Sequence, residues 1–389
     1  MEERVYLDHA ATTPLDPGAL RAMLPFLADA YGNPSSLHAF GRAALDAVDD
    51  ARREVAELIG GEAREVLFTG GGTEADNLAL RGALQAVRGQ GRTAIVVSAV
   101  EHEAVLETAR ALSVEAGAEL RVARVDASGR VDLEDLGRLT DERTALVSVM
   151  RAQNETGVLE DVGAAAAIAH RVGALCHSDA VAAVMASEVD VAALGVDLLS
   201  VSAHKMYGPK GVGALWVPEG VAIAAASTGG GQERGRRAGT HNVPGIVGFG
   251  AAAALTRRDG PAWRVRMRRL KERLWERLRE VPDVVRSGEG ADTTAATLHV
   301  RARGAAADSV LIGLDAEGVA VSAGSACSAG VVGPSHVLVA MGLDRHEAAT
   351  GIRFSLGRAT SEDEIERAAA VYVRVIRRVR GARSRAASA

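Results

Sequence analysis

Several short segments of this 389-residue chain hold residue types that do chemistry only in company. Residues 69–74 read Thr-Gly-Gly-Gly-Thr-Glu, a glycine run where a strand pattern gives way to a helix pattern. Glycines let backbone N–H groups approach an anion closely, and a helix N-terminus favours negative charge. Thr73 adds a hydroxyl donor beside Gly72. A plain strand-to-helix turn would carry the same residues. Asp179 closes the run Ala-Leu-Cys-His-Ser-Asp. An acid there can bind a metal, cap a helix or meet a cationic ring nitrogen. Residues 200–205 read Ser-Val-Ser-Ala-His-Lys. A lysine just past a strand, inside a ligand crevice, can form a Schiff base, whereas most lysines are solvated surface cations. Ser202 and His204 beside it are phosphate-binding types. His102, in Val100-Glu-His-Glu103, offers a flat imidazole for stacking or proton transfer, or a solvent-facing side chain in a first helical turn.

Taken jointly, these groups make one constellation. Pyridoxal phosphate (PLP) needs a Schiff-base lysine, an acid for its pyridine nitrogen and a cradle for its phosphate. Lys205, Asp179, and Thr73 with Ser202 and His204 supply all three. Two cysteines complete the inventory. Cys327 stands among Gly324, Ser325, Ser328, Ala329 and Gly330, a small and polar setting suited to a reactive thiol. Cys176 lies in an apolar run and reads as a buried structural residue.

The elements that must position these groups are legible as alternation. Strand patterns fall at 65–69, 94–98, 120–125, 144–149, 174–178, 198–201 and 213–217. Amphipathic stretches at 74–87, 104–116 and 162–171 lie between several of them. Strands separated by helices predict an α/β unit with a mostly parallel sheet covered on both faces. Ligands in such sheets sit at the carboxyl ends of the strands, where Thr73, His102, Asp179, Ser202, His204 and Lys205 fall. After about Leu255 the texture changes. A long basic helix near 261–281 leads to strand patterns at 296–300 and 351–355 and a final helix at 361–379. The expected division is a large domain over 16–255 and a small α/β domain built from 1–15 and 256–389. The tail from Gly381 is expected to fray.

Composition narrows the class further. Apolar residues make up 48% of the chain but aromatics only 3%, so Ala, Val and Leu must build the core. The net charge of −5 shows no basic excess of the kind a nucleic-acid binder uses. The two cysteines match neither a disulfide framework nor a zinc spacing, and no metal is implied. There is no signal-peptide pattern and no uncharged apolar run long enough to cross a membrane. A reducing, cytoplasmic setting is the expectation.

The chain resembles the group I cysteine desulfurases, PLP-dependent proteins of the class V aminotransferase fold. The resemblance runs nearly end to end. It includes Tyr6-Leu-Asp-His-Ala-Ala-Thr-Thr-Pro14, Gly32-Asn-Pro-Ser-Ser36, Gly72-Thr-Glu-Ala-Asp-Asn77 and Glu101-His-Glu103. It continues with Gln153-Asn-Glu-Thr-Gly157, Ser202-Ala-His-Lys205, Gly229-Gly-Gly-Gln-Glu-Arg234 and Arg237-Ala-Gly-Thr240. It ends with Ser322-Ala-Gly-Ser-Ala-Cys327 and Ile352-Arg-Phe-Ser-Leu-Gly-Arg358.

The resemblance implies roles position by position. Lys205 holds PLP, Asp179 pairs with its ring nitrogen, and His102 stacks on the ring and moves protons. Gly72, Thr73, Ser202 and His204 bind phosphate, and Thr240 reaches the phosphate of a neighbouring subunit, which implies a homodimer. Asn154 and Arg353 hold the substrate carboxylate, and Asn33 lines the substrate entrance. Cys327 takes sulfur from L-cysteine as a persulfide, releases L-alanine and passes the sulfur to an acceptor protein. Iron–sulfur cluster assembly, tRNA thiolation and other thio-product biosynthesis draw on such sulfur.

The match departs from the family at Ala182, where glutamine usually bonds the cofactor's 3-hydroxyl, and at Gln153, where asparagine is common. Losing one such bond costs about 0.5–1.5 kcal/mol, so altered spectrum or rate is expected while the chemistry survives. Two competing readings are another class V enzyme, such as a selenocysteine lyase or an epimerase, and a degenerate PLP-binding partner protein. The Cys327 segment argues against the first, and the full set of Lys205, Asp179, His102, Arg353 and Cys327 against the second.

Overall fold

The structure is a computed structural model that describes residues 4–225, 227–324 and 334–387. It opens on strand β1 (Val5–Tyr6) and helices α1 (Pro17–Ala28) and α2 (Ala39–Leu58). Strands and helices then alternate: β2 (Val66–Thr69), α3 (Gly72–Ala86), β3 (Ala94–Ser98), α4 (Glu103–Glu115), β4 (Glu119–Ala123), α5 (Leu133–Leu139) and β5 (Thr144–Ser148). Next come α6 (Val162–Arg171), β6 (Leu175–Asp179), α7 (Val191–Leu194), β7 (Leu198–Ser202) and β8 (Gly213–Trp216). The remainder is α8 (Val243–Leu278), β9 (Val284–Arg286), β10 (Thr297–Ala302), α9 (Ala307–Ala316) and β11 (Val319–Ala320). The last elements are α10 (His336–Ala340), α11 (Arg345–Ala348), β12 (Gly351–Ser355) and α12 (Glu362–Ala387).

Strands β2 to β8 form one sheet in the order β2-β8-β7-β6-β5-β3-β4. β8 runs antiparallel to both its neighbours, and the other pairs are parallel. Every residue of β3 and β5 is buried. Continuous burial, rather than alternation, is what helices on both faces require. On one face Leu67, Ile95, Val97, Leu146 and Leu198 pack with α3 and α4 residues. On the other, Phe68, Val96, Val147, Cys176, Leu199 and Val201 join the larger core. Cys176 is fully buried, as its apolar run predicts, and burial pushes its thiol far above its ordinary range. The α/β architecture expected from the strand–helix alternation is therefore observed.

Two smaller sheets follow. β10 lies between β12 and β9, all antiparallel, and β1 pairs in parallel with β11. A bridge from Asp8 to Ser355 extends the contact of the N-terminal segment with β12.

Two expected boundaries change. The basic helix begins at Val243, not near Pro261, and spans 36 residues. Asn242 caps it by accepting the Gly245 N–H, and a proline occupies the first turn, where its missing donor costs nothing. Pro261 reads as a second start, yet the helix continues through it. Buried Phe249, Ala252 and Ala253 before it, and Met267, Leu270 and Leu274 after it, anchor both halves. That packing outweighs one lost backbone bond. At the other end, α12 continues to Ala387, past the expected fraying point at Gly381.

Candidate active site

The carboxyl ends of β2, β3, β6 and β7 open on one side of the large sheet, and the sequence-predicted groups gather there. The glycine run after β2 leads into α3. Gly71 takes φ +153°, and no side chain caps the helix start, so its first N–H groups face outward. A Cβ on Gly213 would lie 2.7 Å from the Gly71 carbonyl carbon. β8 can therefore begin beside the glycine run only with glycine at that position.

A cleft of about 690 Å³ lies over this helix start. Gly72, Thr73, Ser202, His204 and Lys210 line it, together with Thr12 from the N-terminal segment. The Ser202 hydroxyl is buried and has no hydrogen-bond partner. His204 Nδ1 lies 3.2 Å from the Thr12 hydroxyl. Burial, and then the nearby Lys205 and Lys210 cations, pull its imidazole down to about 4. An orphaned hydroxyl, a threonine, uncapped helix N–H groups and nearby ammonium groups suit a phosphate.

Lys205 follows β7 in a single 3-10 turn, Ala203–Lys205. Its ammonium donates to the carbonyl oxygens of Ala10 and, at 3.0 Å, Ala11. The chain turns sharply after it. Tyr207 adopts left-handed φ +67°, held by its N–H to the Thr13 hydroxyl and by Arg358 N–H donating to its own hydroxyl. Such strain persists only where surroundings over-determine it, and here it fixes the lysine's exit from the strand.

Asp179 ends β6 and is 4% exposed. Its Oδ1 accepts the Val181 N–H at 2.8 Å. Burial raises its pKa, while His102, that N–H and Lys205 oppose the shift. His102 is the N-cap of α4, its Nδ1 accepting the Ala104 N–H at 3.1 Å, and it is half-buried rather than facing solvent. Asp76, His102 and Asp179 bring one side-chain atom each within 4.8 Å of one another. The fit to PLP is thus chemical at both ends, an anion cradle and a buried acid, with the Lys205 cation acting on His204 at one and on Asp179 at the other.

Arg353, on β12, is 4% exposed. It donates to the Asn154 carbonyl oxygen and to Asp8 Oδ1, each at 2.9 Å, and its Nε is buried without a partner. Asn154 and Arg353 are therefore brought together, through the Asn154 backbone. Glu155 follows them and is buried. It accepts the Ser335 hydroxyl at 2.6 Å, and a Cβ on Gly324 would lie 2.9 Å from its Oε2. Both flanks of the segment that carries Cys327 thus meet one carboxyl group. Cys327 itself lies outside the described residues.

Two predicted residues are not brought into the cleft of their own chain. Thr240 is exposed before α8. Asn33 is exposed, its side chain accepting the Ser35 N–H at 2.9 Å. Conversely, the sequence does not disclose individual roles for Asp8, Thr12, Asp76, Glu101 and Glu155. Their signal was present in the motifs, but a carboxylate's partner across the fold is not a local property of sequence.

Glu101 gives a pH prediction. It is fully buried, bonded by the Ser98 hydroxyl at 2.6 Å and the Met150 N–H at 2.8 Å, and burial pushes it up to about 8. The folded state keeps this proton to about pH 8, whereas an unfolded glutamate loses it near 4.5. The raised folded pKa means stability is complete below the unfolded value and lost as pH rises through the window to the folded one. Glu101→Gln, which mimics the protonated acid, should remove about 3–4 kcal/mol of the stability loss between about pH 5 and pH 8. Denaturant unfolding of the cofactor-free protein at both pH values checks this. Equal pH slopes for the two proteins would refute it.

A parallel α/β sheet with a strand-end lysine, a buried strand-end acid and an anion cradle at a helix start defines a class of protein. This chain belongs to the class V aminotransferase family, whose model matches residues 5–368. Within it, the chain is 46% identical over 380 residues to a cysteine desulfurase of Cereibacter sphaeroides, covering 97% of each. It is 43% identical over 384 residues to the cysteine desulfurase IscS of Anaeromyxobacter sp. (strain Fw109-5), covering 98% of this chain and 94% of that one. A solved NifS-like protein superposes with a TM-score of 0.88 at 34% identity, over 98% and 99% of the two chains. Among the described residues no helix is long and apolar enough to cross a membrane.

Proposed function

We propose that this chain is a PLP-dependent cysteine desulfurase, converting L-cysteine to L-alanine and carrying the sulfur as a persulfide on Cys327. The observation that supports the reading is that the cleft lined by the orphaned Ser202 hydroxyl lies at the same strand ends as the buried Asp179, whose carboxyl feels the Lys205 charge. Lys205 would hold PLP covalently, Asp179 would face its ring nitrogen, and the α3 start with Gly72, Thr73, Ser202 and His204 would hold its phosphate. Bound PLP supplies an electron sink for the pair left on the substrate's α-carbon.

The remaining steps fall to this chain's residues. Arg353, already oriented by Asp8 and Asn154, presents a planar fork to the substrate carboxylate. Lys205 would serve as the base that moves the α-proton, and His102 as a second proton carrier. The Cys327 thiolate attacks the substrate sulfur. An S–S bond forms as the Cβ–S bond breaks, and the carbon takes up a proton to become the alanine methyl. The net change is cysteine plus enzyme thiol to alanine plus enzyme persulfide.

The same reading extends to partners. A second copy of the chain is supported by exposed Leu24, Leu27, Tyr31, Leu37 and Phe40, which fall on α1, the start of α2 and the segment between them. Leu37 is 91% exposed, and clustered exposed apolar side chains of this kind mark an interaction surface. Thr240 would then serve the partner's phosphate and Asn33 the substrate entrance. An acceptor protein in a reducing cytoplasm would take the sulfur onward. The division into a large unit over 16–255 and a small one over 1–15 and 256–389 belongs to the proposal, with Arg353 as the small unit's contribution.

Adding PLP to the purified protein should give a yellow lysine-bound chromophore. With reductant, L-cysteine should yield sulfide and alanine in equal amounts. Colour without sulfide would overturn the desulfurase reading in favour of another class V activity, and no colour would overturn the cofactor assignment.

A further inference from the structure

Behind Asp179 lies a second acid for which the proposed reaction has no task. Asp76, in the first turns of α3, is 1% exposed, and its Oδ1 has no hydrogen-bond partner. Asp179 and His177 face it from β6, Ser200 from β7, His102 from the cap of α4, and Glu101 from the turn before α4. His177 Nε2 is 3.6 Å from Asp76 and 3.0 Å from the Ser200 hydroxyl, while its Nδ1 is 2.8 Å from the Ser148 hydroxyl. His177 is fully buried, and burial pulls it down to about 3, so it is a neutral link.

Two carboxyl groups this close in a sealed site do not both ionise; the charge settles on the one with the better partners. Asp179 has the Val181 N–H and Lys205. Asp76 has a serine hydroxyl and a neutral imidazole. A coherent donor chain follows. Asp76 O–H donates to Ser200, the Ser200 hydroxyl donates to His177 Nε2, and His177 Nδ1–H donates to Ser148. That chain carries no charge, and Asp76 Oδ1 remains as a neutral carbonyl oxygen without a partner.

We propose that Asp76 is a positioning residue that keeps its proton in the folded enzyme and leaves Asp179 as the single negative charge beneath the cofactor's ring nitrogen. The proposal rests on the reading of Asp179 as the ring partner. A second charge at Asp76 would add to the field that holds the bound lysine nitrogen protonated, moving the chromophore's pH midpoint upward. A neutral Asp76 adds no such field.

Two measurements test this. In PLP-loaded protein, Asp76→Asn should leave the chromophore's pH midpoint within about 0.3 pH unit of the wild type, because amide and protonated acid carry the same charge. Asp76→Leu, which removes the link to Ser200, should move that midpoint and weaken PLP retention. In cofactor-free protein labelled with ¹³C-aspartate, infrared spectra should show a protonated aspartyl carbonyl band that persists near pH 8 in the wild type and is missing from Asp76→Asn; a band that persists in the variant belongs to Asp179 and overturns the proposal. The label separates it from Glu101, and exposed aspartates are ionised there. Absence of that band, or a midpoint lowered by about one unit or more in Asp76→Asn, would overturn the proposal. A wild type that gives no chromophore with PLP would sink the cofactor reading instead, while the infrared band would still report on Asp76.

Discussion

Changing Cys327 to serine should lower sulfide release from cysteine by at least about 10³-fold while the PLP chromophore stays intact. The sulfur acceptor must be a thiolate, because only sulfur at that position can form the S–S bond that holds the product. A serine hydroxyl is a similar volume with no such chemistry. The other thiol cannot take over. Cys176 is sealed within the sheet, and burial holds it protonated far above neutral pH. The substitution leaves unchanged the residues proposed to bind cofactor and substrate: Lys205, Asp179, Gly72, Thr73 and Arg353. Absorbance and sulfide assays on one sample separate the two effects. A variant that retained more than about a tenth of wild-type release would remove Cys327 from the mechanism. The Glu155 contacts sharpen the experiment. If Glu155 anchors both flanks of the Cys327 segment, Glu155→Ala should also depress sulfur transfer while sparing the chromophore.

What the sequence reveals and what it hides divide along physical lines. β3 and β5 carry the apolar runs Ala94–Val97 and Ala145–Val147, and burial on both faces is enough to mark them as sheet interior. The strand-end residues Asp179 and Lys205 are legible because parallel sheets place ligands where strands stop. Local packing at Pro261 is not legible: the residue looks like a helix start, and only burial of Met267 and Leu270 against the core carries the helix through it. The Arg353–Asp8 pair is hidden for another reason. Its members are 345 residues apart, and nothing local to either announces the other. The same holds for Asp76, which reads as an unremarkable helical aspartate until β6 and β7 bring His177 and Ser200 against it. Sequence motifs thus name the groups that touch a cofactor more readily than the groups that hold those groups in place.

Lys205→Ala should abolish the lysine-bound chromophore and lower turnover by more than about 10³-fold, the loss expected when a residue acts both as covalent anchor and as base. The crevice should still take up PLP, since the Ser202 hydroxyl, the α3 start and Asp179 remain. Bound but unanchored cofactor would absorb as the free aldehyde and would be lost on gel filtration. A second consequence follows from the two carbonyls that Lys205 holds. Its ammonium donates to Ala10 and Ala11, so truncation leaves both without that donor, the Ala10 carbonyl in a part-buried position. A destabilisation of about 1–3 kcal/mol is therefore expected in the cofactor-free protein. Lys205→Arg keeps a cationic donor but cannot anchor the cofactor, so it should recover much of the stability and none of the turnover. An arginine variant with restored activity, or an alanine variant that kept the chromophore, would place the covalent anchor elsewhere in the chain.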